Sequence, residues 1–367
     1  MKIIEDSIAA FASFIWGYPL LLLLIGGGIY LLILSRFLPF RYFGHAIQVL
    51  RGKYDDPDDP GQISHFQALT TALSATVGMG NISGVAVAIA MGGPGAIFWM
   101  WISAVVGMST KFFTSSLAIM YRGKDSEGEL QGGPMYFITE GLGKKWKPLA
   151  IFFSACAMIG ALPVFNVNQL TQAVNDILLK PNGVEVTNYT NLVIGVFLVI
   201  ITSIVVLGGL KRIGKVTSRL VPSMVLLYFI LVVVILIVHI DVVPKYFLMI
   251  FTDAFSADFI KEESVLGGVV GALIILGIKR GAFSNEAGVG TAPMAHGAAK
   301  TDEPIREGLV AMLGPFIDTI IVCTLTALAI LVTGVWQTSD TNGVSLTATA
   351  FGNAMPGVGK YLLMICV

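Results

Sequence analysis

One uncharged stretch in the first third of the chain carries residues that suit a binding site made of backbone. The stretch Thr70–Met91 is long enough to cross a hydrocarbon layer of about 30 Å as a helix. Three glycines and an asparagine, however, lie near its middle: Gly78, Gly80, Gly84 and Asn81. Glycine destabilises a helix, and backbone groups that a break frees inside a bilayer must face protein, a cavity or a ligand. The pattern therefore predicts a broken spanning helix with a ligand site at half depth.

A second stretch, Val265–Ala299, has the same character. It is apolar as far as Ile278 and then contains polar and helix-breaking residues. These are Gly281, Ser284, Asn285, Glu286, Gly288, Gly290 and Pro293. Two interrupted spans are the best sequence sign of a secondary transporter with inverted repeats and a site at the membrane midplane. Half-helix amino termini attract a carboxylate, and unwound carbonyls attract a small cation, so one site can hold an amino acid and Na⁺ together.

The composition excludes a water-soluble protein. The chain of 367 residues is 55% hydrophobic and 13% charged, with a mean hydropathy of +0.81, whereas about a quarter of the residues of a soluble domain are charged. The formal net charge of zero argues against a nucleic-acid partner. Residues 1–16 contain Glu5 and Asp6 and lack a basic segment, so we predict no cleaved signal peptide. We expect a multi-pass protein of the plasma membrane, surrounded by the lipid bilayer.

The sequence offers no set of residues that predicts catalysis. It contains no nucleophile–base pattern and no Walker-type phosphate loop, and its four histidines and three cysteines lack metal-ligand spacing. We therefore predict that the protein is not an enzyme and uses no cofactor, only Na⁺ as a coupling ion. A channel-like pore is the alternative from another class. Channels favour a continuous pore with rings of repeated ligands, whereas two broken helices in one chain favour a carrier.

The distribution of basic residues predicts the orientation of the spans. If the amino terminus lies outside and the spans alternate, most Lys and Arg residues fall in inside loops. The two broken segments then head successive five-helix units that enter from opposite sides. We predict an all-α polytopic fold with an N-terminal span and interfacial helix at 1–62, a first five-helix repeat at 63–241 and a second, incomplete repeat at 242–367. The last span begins at Gly357 and is shorter than the roughly 20 residues that a crossing needs, so we expect a truncated C-terminal part.

Three segments resemble a known transporter family. Residues 75–120, which begin A-T-V-G-M-G-N-I-S-G, the Gly132–Met135 motif with Tyr136, and residues 277–309, which contain F-S-N-E-A-G-V-G-T-A-P, look like the alanine or glycine:cation symporter family. That family is related to the amino acid–polyamine–organocation group. Val77–Asn81 is also similar to the broken first helix of neurotransmitter:sodium symporters. The resemblance implies Na⁺-coupled import of a small neutral amino acid, alanine or glycine, by alternating access. A glutamine-preferring or proton-coupled carrier is the alternative.

The resemblance implies roles for four residues at the first break. It places the substrate carboxylate on the backbone around Met79 and Gly80. It also implies that Thr76 and Asn81 contact the substrate or the cation. Met79 stands where threonine is common in the family, which would narrow or reshape the pocket.

Five further residues receive roles from the same resemblance. The carbonyls of Ser74 and Val77 match one half of a sodium site. Gln169, in the third core helix, is a candidate amide for contact with the substrate. Phe283 and Ser284 would face the ligand from the second break.

Charged residues inside the spans are a further indication of function or of internal pairing. Lys279 and Arg280 are predicted to pair with Glu286 and so to fix the second broken helix. Lys111 and Asp318 are predicted either to pair across helices or, for the aspartate, to belong to a cation path.

Overall fold

The computed structural model describes residues 2–126, 128–256, 268–338 and 341–366, and these are helical almost throughout. Within these ranges the strands form one antiparallel hairpin, β1 (Gly123–Lys124) with β2 (Leu130–Gln131). Six helical segments are long and apolar enough to cross a membrane, or seven if one bent pair counts as a span. They are Glu5–Leu34, Gly95–Met120, Lys144–Asn182, Asn188–Val206, Gly209–Val238 and Pro304–Val332. The predicted all-α polytopic fold is confirmed.

The amino-terminal region forms a long helical span followed by short helices. Its elements are α1 (Lys2–Ile15), α2 (Tyr18–Leu21), a π-helical stretch (Leu22–Gly26), α3 (Gly27–Leu34), α4 (Leu38–Arg41) and α5 (Phe43–Leu50). The apolar run of the sequence begins at Tyr18, but the helical structure begins earlier, at Lys2. In α5, Ala46 and Val49 are buried, Gln48 is exposed and the other side chains are half-buried, so one face of the helix packs against the protein.

The first broken segment consists of α6 (His65–Thr76) and α7 (Met79–Gly92), which are bent by 42° at the break. A capping box starts α6: the Ser64 hydroxyl accepts from the Gln67 N–H, and the Gln67 side chain accepts from the Ser64 N–H. The tight turn ahead of Pro94 then reverses the chain into α8 (Gly95–Met120).

The middle of the chain forms a further series of helices. They are α9 (Pro134–Tyr136), α10 (Lys147–Gly160), α11 (Val164–Val174), α12 (Asn188–Val206), α13 (Gly209–Val238) and α14 (Val243–Thr252). Short π or 3₁₀ turns occur at Phe137–Gly141, Lys144–Trp146, Asn175–Leu179, Lys180–Asn182 and Asp253–Phe255. No residue of α12 is buried, although the helix is strongly apolar, which is expected of a helix that faces lipid.

The second broken segment consists of α15 (Gly268–Asn285) and α16 (Thr291–His296). Its predicted beginning at Val265 lies outside the described residues. The elements that follow are α17 (Pro304–Ala311), α18 (Leu313–Pro315), a π-helical stretch (Phe316–Cys323), α19 (Thr324–Val332), α20 (Val335–Thr338), α21 (Val344–Ala354) and α22 (Gly359–Ile365).

Helix α8 is the centre of the packing, and it contacts both broken segments and α17. Two glycines of α15 allow its backbone to lie close to α8. A Cβ atom on Gly277 would lie 2.5 Å from the Trp99 Cβ, and one on Gly281 would lie 2.8 Å from the Ser103 Cβ. Small residues at such contacts let helix backbones pack tightly within a membrane.

Candidate substrate and cation site

The first break is a two-residue interruption whose conformation requires glycine. Val77 is extended, and Gly78 has φ +142° and ψ −121°, a region that L side chains rarely adopt. The Gly78 N–H donates to the Asn81 side-chain oxygen at 3.1 Å. The N–H groups of Met79 and Gly80 lie in the first turn of α7, where the helix supplies no acceptor. The predicted break is confirmed, and its position at half depth in the membrane stays a prediction.

The second break is longer and turns through three residues with positive φ. Helix α15 ends at Asn285, and then Glu286, Gly288 and Gly290 have φ of +52°, +95° and +99°. The Asn285 side-chain oxygen accepts from the Ala287 N–H at 3.0 Å, which fixes the start of the turn. This break is also confirmed.

The two broken segments are antiparallel and their breaks face each other. Helix α7 contacts α15, and α6 contacts α16. The Asn81 amide donates to the Ser284 hydroxyl at 3.1 Å, and a Cβ atom on Gly80 would lie 3.7 Å from the Ser284 Cα. The segments therefore cross in opposite directions and meet at their interruptions.

A buried aspartate completes this contact. Asp318 is inaccessible to solvent, and its Oδ1 accepts from the Ser284 and Thr319 hydroxyls, each at 2.7 Å. Its backbone carbonyl accepts from the Asn81 amide at 3.0 Å. Its Oδ2 has no hydrogen-bond partner in the described part of the protein. We call Asn81, Ser284, Asp318 and Thr319 the Asp318 cluster; its oxygens are those that a hard monovalent cation prefers.

Lys111 acts electrostatically on Asp318 but forms no ion pair with it within the described ranges. The Lys111 side chain is 2% exposed, so both charges are buried. A direct pair, one of the two predicted roles, is not formed. The other predicted role, a place for Asp318 in a cation path, stays a prediction.

A cavity of about 300 Å³ lies between the two breaks. Three parts of the chain contribute its walls: Ser74, Ala75, Thr76 and Gly80 at the first break; residues 160–163 with Phe165 and Asn166; and Phe283, Glu286, Val289 and Thr291 at the second break. Four of the predicted site residues therefore line one cavity: Ser74, Thr76, Gly80 and Phe283.

The other predicted site residues lie outside the cavity wall. Asn81 and Ser284 are fully buried in the Asp318 cluster beside it. The Met79 side chain packs in an apolar cluster, and Val77 faces a separate narrow gap beside Tyr228. Their roles toward substrate or cation stay predictions.

Gln169 joins the first broken segment to α21. Its side-chain oxygen accepts from the Ser83 hydroxyl at 2.5 Å and from the Val344 N–H at 3.3 Å. Its amide nitrogen lies within hydrogen-bonding distance of Asn168 and Gln172. The Gln169 amide thus holds two elements together beside the cavity, and its contact with substrate stays a prediction.

A third interruption was not predicted. The apolar run 148–177 favours one span, and Lys144–Asn182 is one candidate span, but a short turn inside it at the cavity wall separates α10, which ends at Gly160, from α11, which begins at Val164. Pro163, which cannot donate an N–H to a continuing helix, was the signal in the sequence. The apolar residues on both sides of Pro163 gave no other sign of the interruption.

A network of buried polar groups ties the start of α6 to the end of α16. Glu307 is fully buried and accepts hydrogen bonds from the Nδ1 atoms of His65 and His296. A parallel bridge joins Ile63 to Ala299 on the same side. Sequence spacing gave no sign of this network, because His65 is far along the chain from His296 and Glu307.

Arg122 extends the network as a clamp on carbonyl groups. Its Nε donates to the Gly297 carbonyl at 2.7 Å, and its Nη1 donates to the Pro60 and Thr301 carbonyls at 3.1 and 3.0 Å. Its Nη2 donates to the Ala299 carbonyl. Burial lowers the pKa of the Arg122 guanidinium from its ordinary value. The clamp fixes both broken segments at one membrane face.

The predicted pairing of Glu286 with Lys279 or Arg280 is wrong. None of the ion pairs among the described residues involves Glu286. Arg280 instead points its guanidinium toward the Met91 sulfur at 3.8 Å. The positive φ of Glu286 ends the helical register on which the predicted pairing depended, and Glu286 accepts from the Thr291 hydroxyl at 2.6 Å.

Broken, antiparallel spans that meet around a small cavity define a class of protein, the secondary membrane transporters. The sequence matches the model of the sodium:alanine symporter family over residues 1–367. The chain belongs to the sodium:alanine symporter family. It is therefore a multi-pass membrane transporter of the symporter type and not an enzyme.

Individual relatives agree with this assignment. The chain is 44% identical over 353 residues to the sodium/alanine symporter AgcS of Methanococcus maripaludis, covering 94% of this chain and 75% of that protein. It is 42% identical over 358 residues to an uncharacterized transporter of Haemophilus influenzae, covering 96% and 75%. It is 35% identical over 366 residues to the probable sodium/glutamine symporter GlnT of Bacillus subtilis, covering 100% and 73%.

Proposed function

We propose that this protein couples the inward movement of Na⁺ to the uptake of alanine or glycine by alternating access. The observation that carries the proposal is the cavity of about 300 Å³ between two facing helix breaks. Ligand pockets in proteins range from about 300 to 1,000 Å³, so this cavity is at the small end and favours a small amino acid. The family and the AgcS relative support coupling to Na⁺ and an amino acid as the substrate.

The substrate carboxylate binds at the amino terminus of α7. The free N–H groups of Met79 and Gly80 and the positive end of the helix dipole suit an anion. Gly80 and Thr76 both line the cavity. Phe283 packs edge-on against Phe165 at 5.0 Å between ring centroids, and this apolar wall suits a methyl group.

Na⁺ binds beside the substrate. The Asp318 cluster offers the unpartnered Asp318 Oδ2 together with hydroxyl and amide oxygens. The carbonyls of Ser74 and Val77 are the second proposed cation site. Because the Asn81 side chain belongs to the cluster and caps the first break, occupation of the cluster affects the turn that holds the substrate carboxylate.

Alternating access requires the two repeats to move relative to each other. The proposed units are an N-terminal region at 1–62, a first repeat at 63–241 and a second repeat at 242–367. The proposed orientation has the amino terminus on the outside. The antiparallel broken segments support inverted repeats. Gln169 reaches the substrate only once α21 separates from Ser83.

The test is uptake of labelled L-alanine by proteoliposomes that contain the purified full chain. We expect accumulation above the outside concentration under an inward Na⁺ gradient and none after an ionophore collapses that gradient. An inward proton gradient without Na⁺ is expected to drive no uptake. Equal uptake with and without the Na⁺ gradient would rule out the coupling.

Competition and counterflow decide between the remaining alternatives. Unlabelled alanine and glycine are expected to inhibit uptake more strongly than glutamine. Stronger inhibition by glutamine would indicate that this protein prefers glutamine, the substrate in the name of the GlnT relative. Saturable uptake with counterflow is expected of a carrier, and non-saturating flux would indicate a channel-like pore.

A further inference from the structure

Glu286 has an unusual position in the cavity wall. Among the described residues that line the cavity, it is the one with an ionisable side chain; the others are apolar residues, glycines, or residues with hydroxyl or amide groups. A carboxylate inside the spanning part of a membrane protein is costly unless a partner compensates its charge.

The described residues give Glu286 a hydrogen bond but no ion pair. The Thr291 hydroxyl donates to its Oε2 at 2.6 Å, while Oε1 accepts no hydrogen bond from the described residues. Lys111 and Asp318 are the buried charges that act on it electrostatically. Among the described residues, the Glu286 Oε1 atom is therefore free to accept a hydrogen bond from a ligand.

The backbone conformation at Glu286 is unusual and places the side chain in the cavity wall. Its φ of +52° is uncommon for a residue other than glycine and stores strain of about 1–3 kcal/mol. The strained conformation turns the residue out of the register of α15, and the side chain lines the cavity. Strain of this kind persists where surrounding structure maintains it, and it is concentrated at functional sites.

We propose that the Glu286 carboxylate binds the ammonium group of the transported amino acid; this inference rests on the proposed function. The amino terminus of α7, at Gly80, offers an anion site at the first break, so the cavity presents one complementary group for each end of a zwitterion. The Asp318 cluster, which is buried and rich in oxygen, is the better place for Na⁺. Glu286 therefore selects substrates that carry a primary amine.

The experiment compares binding of L-alanine and L-lactate to the purified full chain, since lactate replaces the ammonium by a hydroxyl. Wild type is expected to bind alanine and to bind lactate far more weakly. Glu286→Gln is expected to lose at least about thirtyfold in alanine affinity and most of the preference over lactate, because a buried charged partner is removed. Glu286→Asp keeps the charge and is expected to bind alanine with intermediate affinity.

Glu303→Gln is the matched control, since Glu303 is exposed and lies outside the cavity. It is expected to bind alanine like wild type. The rise in melting temperature that NaCl produces over choline chloride, without amino acid, is expected to be the same in Glu286→Gln and wild type. Loss of that Na⁺ effect would make Glu286 a cation ligand and would overturn the inference, as would unchanged alanine affinity in Glu286→Gln.

A panel of glycine, D-alanine, β-alanine and L-glutamine separates this inference from the proposed substrate. If wild type binds D-alanine, β-alanine or L-glutamine but neither L-alanine nor glycine, and Glu286→Gln loses that binding, the proposed substrate fails and the role of Glu286 stands. If wild type binds none of the amines, both fail. If Glu286→Gln does not fold, Glu286→Asp decides: affinity equal to wild type in a folded protein with a shorter side chain contradicts a direct contact.

Discussion

Asn81 shows how one side chain can link the two breaks. Its oxygen accepts from the Gly78 N–H, and its nitrogen donates to the Ser284 hydroxyl and the Asp318 carbonyl. The side chain is fully buried, so each group it leaves unpaired on removal costs about 1–3 kcal/mol. Its position in a broken, uncharged span singled it out in the sequence, and its role toward substrate or cation stays a prediction.

Asn81→Ala is expected to reduce Na⁺-driven alanine uptake at least about tenfold, because both the first break and the Asp318 cluster lose a partner. The variant is expected to remain folded in detergent by size-exclusion chromatography. Asn188→Ala, at an exposed position in α12, is the control and is expected to transport normally. Normal uptake by Asn81→Ala would remove Asn81 from the site.

Glu286 could not be placed from the sequence, for a physical reason. Lys279 and Arg280 precede it on what resembles one helix, and a continuous helix brings charges one or two turns apart onto the same face. The positive φ of Glu286 ends that register, and φ values are not visible in residue types other than glycine.

At the scale of elements, both breaks were predictable because several glycines close together weaken an apolar helix at one point. The interruption between α10 and α11 was not, since a single proline in a long apolar run occurs in kinked helices as well as in broken ones. The network of His65, His296 and Glu307 needed the tertiary fold, which brings α6, α16 and α17 together.

Gly78→Ala tests the first break as a conformational requirement. A Cβ atom on Gly78 would meet nothing within 4 Å, so the substitution changes only the backbone preference at φ +142°. We expect strain of about 1–3 kcal/mol and a corresponding loss of alanine affinity, measured by equilibrium binding. Gly195→Ala in α12, where a Cβ atom also meets nothing, is expected to leave binding unchanged. Equal behaviour of the two variants would contradict a strained turn at Gly78.

Arg122→Ala tests the clamp between the broken segments. Four carbonyl groups lose their donor, and hydrogen bonds to charged groups contribute about 1.5–3 kcal/mol each, so we expect unfolding to become easier by at least about 3 kcal/mol. Thermal unfolding in detergent measures the effect. Arg219→Ala, which removes an exposed arginine, is the control. A melting temperature of Arg122→Ala equal to that of the control would mean that the clamp does not stabilise the fold.

At the scale of the whole molecule, the sequence predicted the membrane class, the helical fold and the two interruptions, because hydropathy and glycine placement depend on local residues. Which residues surround the cavity was only partly predictable. Residues 160–163 line it through a turn that the sequence did not reveal, and Gln169 bonds both Ser83 and α21. These positions depend on how helices pack, which no single segment specifies.

The central claim is that two facing breaks hold an amino acid and Na⁺ in one site. Equilibrium binding of L-alanine to the purified protein, in NaCl and in choline chloride, tests it directly. Because coupling is reciprocal, we predict alanine binding at least about tenfold tighter in NaCl, tighter Na⁺ binding in alanine by the same factor, and loss of both effects in Asn81→Ala. Equal alanine affinity in the two salts would contradict the claim.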